Sequence, residues 1–206
     1  KSYDKVVPGY DKALMHGLLA LRQAKVPLVL ALSEEQNGDI SKIYAPFISL
    51  AGGVASQGSA ALIRDIDQTV RFFTENIGHQ GQSIPTLTGQ MARKIDIQPI
   101  NGMINYGYGE SFNYIPLHQI NQLFKQGDHQ QLAQMFANKA VILGTVLPVL
   151  DRYYHPMKLA AWENRDKVPG VLIQAKILRN QLNHQLITPI SFGFQILYVN
   201  CFILLC

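Results

Sequence analysis

The chain has 206 residues, of which 48% are hydrophobic and 16% charged, with a formal net charge of +4. That length favours one domain, and the charge is low against the roughly 25% usual for soluble domains. The 18 Gln and 11 Asn set against 32 charged residues give a polar, weakly charged surface. Lys and Arg are scattered, Arg93-Lys94 being the one adjacent pair, which excludes a nucleic-acid-binding stripe. The cysteines are Cys201 and Cys206, so the first 200 residues hold no disulfide and no thiolate metal ligand. The chain starts at Lys1 without Met or an apolar leader run, as expected of a cytosolic fragment or of one whose upstream targeting segment has been cut away.

In chain order, residues 11–24 place Leu14, Leu18, Leu21 and Ala24 on one helical face, with Asp11 as a capping residue. VPLVLALS at 26–33 reads as a strand buried on both faces, followed by a polar turn, SEEQNGD. Residues 41–50 are weakly helical, and the small, Gly-rich run 52–60 is extended. TVRFFTENI at 69–77 alternates as a strand of an antiparallel pair, with Asp65-Ile66-Asp67-Gln68 as its turn. A helix over 85–95 starts with Pro85 in its first turn and aligns Leu87, Met91 and Ile95. GMINYGYG (102–109) reads as a strand ending in glycines. Helices follow over 116–127, from Pro116 to Gly127, and over 128–139, capped by Asp128.

AVILGTV (140–146) is the clearest buried strand of the chain, and a long loop, 147–168, follows it. The last helix, 169–185, carries Val171, Ala175, Leu178 and Leu182 as its core face. Helices alternating with short strands predict an α/β fold, a layered mixed sheet flanked by helices. Residues 180–206 contain no Asp, Glu, Lys or Arg, and the 17 residues from Ile190 to Cys206 are almost entirely apolar. As a helix this run spans about 25 Å at roughly 1.5 Å per residue, against a hydrocarbon core of roughly 30 Å. The run reads as the start of a transmembrane helix, 187–206, after a domain over 1–186. A buried terminal helix or strand is the alternative.

The chemistry-bearing residues gather at one strand end. Ligands of open α/β sheets bind outside the carboxyl ends of the strands. Here that end, Gly144-Thr145, leads into a loop with Asp151, Arg152, Tyr153, Tyr154, His155 and Trp162, and long loops are often functional. The loop feeds a helix start at Gly170, whose free N–H groups favour an anion, and Asn105, Tyr106 and Tyr108 lie at the end of the neighbouring strand. These residues predict a pocket for a small polar ligand; a packed loop with Asp151 as a local cap is the alternative. Asp65, Asp67 and Arg71 read as a structural turn, with a cation site as the alternative. Gly107-Tyr108-Gly109 begins a dinucleotide fingerprint that Phe112 breaks. No phosphate-binding loop or nucleophile elbow is present, and the six histidines form no i, i+4 pair, so no metal site or cofactor is implied. A small α/β hydrolase or transferase working from the 147–168 loop stays open, with Thr145–His155 or Tyr153–Asp151 as its nucleophile–base pairs.

Four stretches together resemble the CHASE domain, type two, an extracellular sensing domain associated with cyclases and histidine kinases. Gly58 through Asp65-Ile66-Asp67-Gln68-Thr69-Val70-Arg71 is similar to the family's D-x-D-G-x-x-R hairpin. Ile104-Asn105-Tyr106-Gly107, with Tyr114-Ile115-Pro116-Leu117 ahead of a helix, is the second. The third is Asn138 through Thr145 with Asp151 and Pro156, and the fourth Pro169-Gly170-Val171-Leu172-Ile173-Gln174-Ala175. Gln68 stands where the family often has Gly, and Gln174 where it often has His. The resemblance implies a non-catalytic sensory domain of a bacterial transmembrane signalling protein with a nucleotide cyclase or histidine kinase as output. It further implies a periplasmic or extracellular domain on the cell membrane, truncated before residue 1 and anchored through its C-terminal helix. Gln174 joins the ligand set on this basis. The partners expected are an unidentified small ligand, the membrane and a second copy in a homodimer, not nucleic acid.

Overall fold

A computed structural model describes residues 7–34, 39–148, 151–157, 167–190 and 193–194. The fold is mixed α/β, with six α-helices and short strands among the described residues. Two compact units divide it: Lys1–Ile63 with Arg71–Asn105 and Ile177–Cys206, and Arg64–Val70 with Tyr106–Lys176.

The first unit opens with α1, Tyr10–Gln23. Gly9, in the left-handed region at φ 89°, is its N-cap, so Asp11 lies inside the first turn and is buried rather than capping. Leu18 is the buried apolar residue of the helix, while Leu14 and Leu21 are exposed. Strand β1 is Leu30–Leu32, shorter than the predicted 26–33 and half-buried rather than covered on both faces, because it has one partner strand. That partner is β2, Gln57–Ser59, aligned parallel (Leu30 with Gln57, Leu32 with Ser59). Between them lie α2, Ala45–Ala51, and a 3₁₀ turn at Val54–Ser56. Gly58 is required at its place, since a Cβ there would lie 2.6 Å from Leu87 Cα and 2.8 Å from Thr86 O.

The run 69–77 is not one strand. It breaks into β3, Phe72–Phe73, and β4, Asn76–His79. Strand β4 forms a hairpin with β5, Gln82–Pro85, pairing Ile77 with Ile84. Gln80 (φ 47°) and Gly81 (φ 78°) both take positive φ, as a two-residue primed turn demands. Pro85 therefore ends a strand, and α3, Leu87–Arg93, starts after Thr86, whose hydroxyl accepts the Gly89 N–H. Strand β6 is Gly102–Met103 only, antiparallel to β3 and bridged from Met103 to Ile187. The predicted strand over 102–109 stops there because residues 106–109 turn.

In the second unit, α4 (Leu117–Gln126) runs from Pro116 to a left-handed Gly127. Asp128 then caps α5, His129–Phe136, through the Gln131 N–H at 3.0 Å. Residues 140–146, expected as the clearest buried strand, form none: Val141 and Leu143 are 54% and 81% exposed. A strand exists only where a neighbour completes its backbone hydrogen bonds, and no described residue does so here. The loop 147–168 instead holds β7, Arg152–Tyr154, antiparallel to β8, Lys167–Pro169, and Tyr154 bridges Thr69. Among the described residues the strands make four two-stranded sheets, not one layered sheet.

Helix α6, Gly170–Leu182, contributes its first residues to the second unit and its last to the first. Polar and apolar side chains alternate around it, yet none of its residues is exposed, so the helix is enclosed on nearly every side. Leu172, Ile173, Ile177 and Leu178 are buried, whereas Val171, Ala175 and Leu182, predicted as its core face, are only half-buried. Of the predicted membrane helix, 187–206, residues 187–190 and 193–194 are described and the rest lies outside the described residues. Among those described, no helix is long and apolar enough to cross a membrane.

Candidate ligand-binding region

Around the start of α6 the second unit brings together Asp151, Gly144 and Gly170 from among the residues expected to form a pocket. The Asp151 carbonyl accepts the Gly170 N–H at 2.8 Å. Its carboxylate faces the Gly170 Cα: a Cβ on Gly170 would lie 2.6 and 2.8 Å from the two carboxylate oxygens and 2.9 Å from Tyr153 Cε2. A negative group beside a helix N-terminus is favoured by the helix dipole, so the chain's own carboxylate sits where an external anion was expected. Asp151 holds this place with φ 51°, a left-handed backbone uncommon outside Gly, Asn and Asp. Gly144 packs against the same turn, since a Cβ there would meet Val171 Cγ2 at 2.6 Å. Thr145 is exposed nearby in sequence.

The remaining residues are tied to backbone. Arg152 donates from Nε (3.1 Å) and from Nη2 to the Lys167 carbonyl, across the β7–β8 pair. The buried Tyr106 donates its hydroxyl to the Val70 carbonyl at 2.7 Å. The Tyr108 carbonyl accepts from Lys176 Nζ. Gln174 is buried on α6. Asn105 belongs to the first unit, where its N–H donates to Asn180 Oδ1 at 2.7 Å and its carbonyl accepts from Asn180 Nδ2 at 3.3 Å. His155 Nδ1 bonds the Met157 carbonyl rather than a hydroxyl nucleophile. Among the described residues, no three His, Cys, Asp or Glu side chains converge as metal ligands would.

The Asp65–Gln68 segment is a turn. Asp65 bonds Thr69 and Gln68 through its backbone at 3.0 and 2.8 Å, and Asp67 Oδ1 accepts the Thr69 N–H at 3.0 Å. Gln68 adopts φ 64°. Arg71 joins the first unit, where its carbonyl accepts the Ile104 N–H at 2.7 Å.

The sequence reading missed the polar side of α6. Lys176, Asn180 and Gln181 are 3%, 0% and 1% exposed. Gln181 bonds both backbone groups of Ile100, its Oε1 accepting the N–H at 3.1 Å and its Nε2 donating to the carbonyl at 2.8 Å. Asn180 does the same for Asn105. Side-chain amides thus complete partly buried backbone that has no strand neighbour. The cue was present: long polar side chains spaced through a helix with no wholly polar face cannot all reach solvent.

No curated protein and no solved structure matches the chain. A family model, the CHASE2 domain, matches residues 3–206. The match spans nearly the whole chain, and the chain therefore belongs to the CHASE2 family, the sensory, non-catalytic domains of signalling proteins.

Proposed function

We propose that the chain is the extracytoplasmic sensory domain of a bacterial transmembrane signalling protein whose output is a nucleotide cyclase or a histidine kinase. The family match over residues 3–206 is the observation that carries this reading. Two features support it. Helix α6 is enclosed and held to backbone by Asn180 and Gln181, so a displacement at one end is passed along a stiff element. Beyond Ile187, bridged to Met103, the sequence continues into the apolar run 190–206, which on this reading begins the membrane helix and faces the domain to the periplasm. A ligand seated beside Thr145 and Asp151 would compete with Asp151 for the first turn of α6. Such a ligand shifts α6 only as far as it binds its two arrangements differently.

The test is an Ala-Pro insertion after Thr188 in the parent protein, with output activity as the readout. Loss of stimulus response with basal activity and membrane content intact supports the coupling; an unchanged response refutes it. Alkaline phosphatase inserted at the exposed Val54 reports sidedness. Activity there supports a periplasmic face, and inactivity in a well-expressed fusion overturns it.

A further inference from the structure

The first unit carries a cleft of about 220 Å³ between the ends of α1 and α2, distinct from the region at the start of α6. Its apolar lining includes the buried Leu18 together with Leu28 and Leu50. Three cations, Arg22, Lys25 and Lys94, complete it, and among the described residues no carboxylate lines it.

Each cation sits near a helix C-terminus, and helix-end carbonyls attract cations. That accounts for Arg22, whose Nη1 donates to Ser49 O at 2.9 Å. It does not account for the other two. Among the described residues the ammonium groups of Lys25 and Lys94 have neither a hydrogen bond nor an ion pair. Charge decides the sign of the site: three cations outweigh helix ends worth about half a negative charge each, leaving a surplus of roughly one to two positive charges. Size decides the class. At about 220 Å³ the cleft is smaller than the roughly 300–1,000 Å³ pockets of drug-sized ligands, which fits a small molecule of about ten non-hydrogen atoms or fewer.

We propose that this cleft binds a small amphipathic monoanion, an aromatic or short-chain monocarboxylate, with its apolar part on Leu18, Leu28 and Leu50 and its carboxylate between Lys25 and Lys94. Binding itself does not depend on the signalling reading; its role as stimulus does.

The experiment titrates sodium benzoate, and separately the neutral isostere benzamide, into the full chain labelled with ¹⁵N. The expected result is saturable benzoate binding with amide shifts centred on Lys25, Val26 and Lys94, weakened by added salt, and much weaker benzamide binding. Lys25→Gln/Lys94→Gln, with its fold checked by the remaining spectrum, lowers benzoate affinity about tenfold or more, a change well within the reach of two lost charges. Arg22→Gln is a second variant should the first not fold. Equal binding of benzamide, shifts centred elsewhere, unchanged affinity in the folded variant, or no saturation up to about 10 mM would each overturn the proposal. None of these outcomes bears on the Thr188 insertion, so the two ideas fail separately.

Discussion

Replacing Asn180 by alanine removes an amide that serves two backbone groups at once. Asn180 is fully buried, and its side chain accepts the Asn105 N–H and donates to the Asn105 carbonyl. A buried polar group left unsatisfied costs about 1–3 kcal/mol, so two orphaned groups cost about 2–6 kcal/mol. Asn105 is itself half-buried, so water reaches part of that backbone and the lower half of the range applies, about 2–4 kcal/mol. Against a total stability of about 5–15 kcal/mol this is a large loss. Urea denaturation followed by circular dichroism gives the magnitude, and hydrogen exchange at the Asn105 amide gives the location. Asn183→Ala is the control. That side chain is exposed and bonds only the Arg179 carbonyl, so its removal stays within about 0.5 kcal/mol. If Asn180→Ala loses no more than the control and the Asn105 amide keeps its protection, the idea that α6 completes this backbone is wrong.

Gly58→Ala forces a Cβ against the backbone of Leu87 and Thr86 and destabilises by about 1–3 kcal/mol or more. Gly78→Ala, with nothing within 4 Å, is neutral or slightly stabilising in the same melt. Gln68→Gly relieves a left-handed residue in an exposed turn and raises stability by about 0.5–1 kcal/mol; a loss of stability would mean the turn does not need that conformation. Asp128→Ala removes the α5 cap and costs about 1 kcal/mol, read as faster exchange at the Gln131 amide. Gly170→Ala drives a Cβ into the Asp151 carboxylate and costs about 1–3 kcal/mol. Adding Asp151→Ala recovers part of that loss, and strict additivity of the two would refute the contact.

What the sequence made legible depended on whether a signal was local. Helices α1, α4 and α5 follow from periodic Leu, from Pro116 and Gly127, and from the Asp128 cap, all set within a few residues. The Asp65–Gln68 turn was legible for the same reason, since Asp67 bonds backbone two residues away. Strands were misjudged because pairing is not local. Composition made 140–146 look covered, yet no described strand lies beside it. The β4–β5 hairpin was overlooked because Gln-Gly is a weaker cue for a primed turn than Asn-Gly. At the candidate region, Asp151 lies beside Gly170 at the start of α6, the place that the local-cap alternative gave it. The commitments of Arg152, Tyr106 and Asn105 to backbone were hidden, because each bonds a partner 15 to 75 residues away.

Buried amides also decide how α6 moves, on the proposed signalling reading. Within the first unit, Asn180 and Gln181 make four hydrogen bonds to Asn105 and Ile100. Sliding the helix by one residue shifts it about 1.5 Å and turns it about 100°, which breaks all four together. At about 1 kcal/mol net for each bond the step costs roughly 4 kcal/mol, equivalent to a nearly thousandfold difference in ligand affinity between the two positions. A small ligand that discriminates its two states about tenfold supplies only about 1.4 kcal/mol. It therefore cannot drive a register slip of α6 as long as these amides stay paired. Any signal carried by such a ligand has to be a smaller tilt or rotation that leaves the Asn180 and Gln181 bonds intact, and exchange at the Ile100 and Asn105 amides should then stay unchanged on ligand binding.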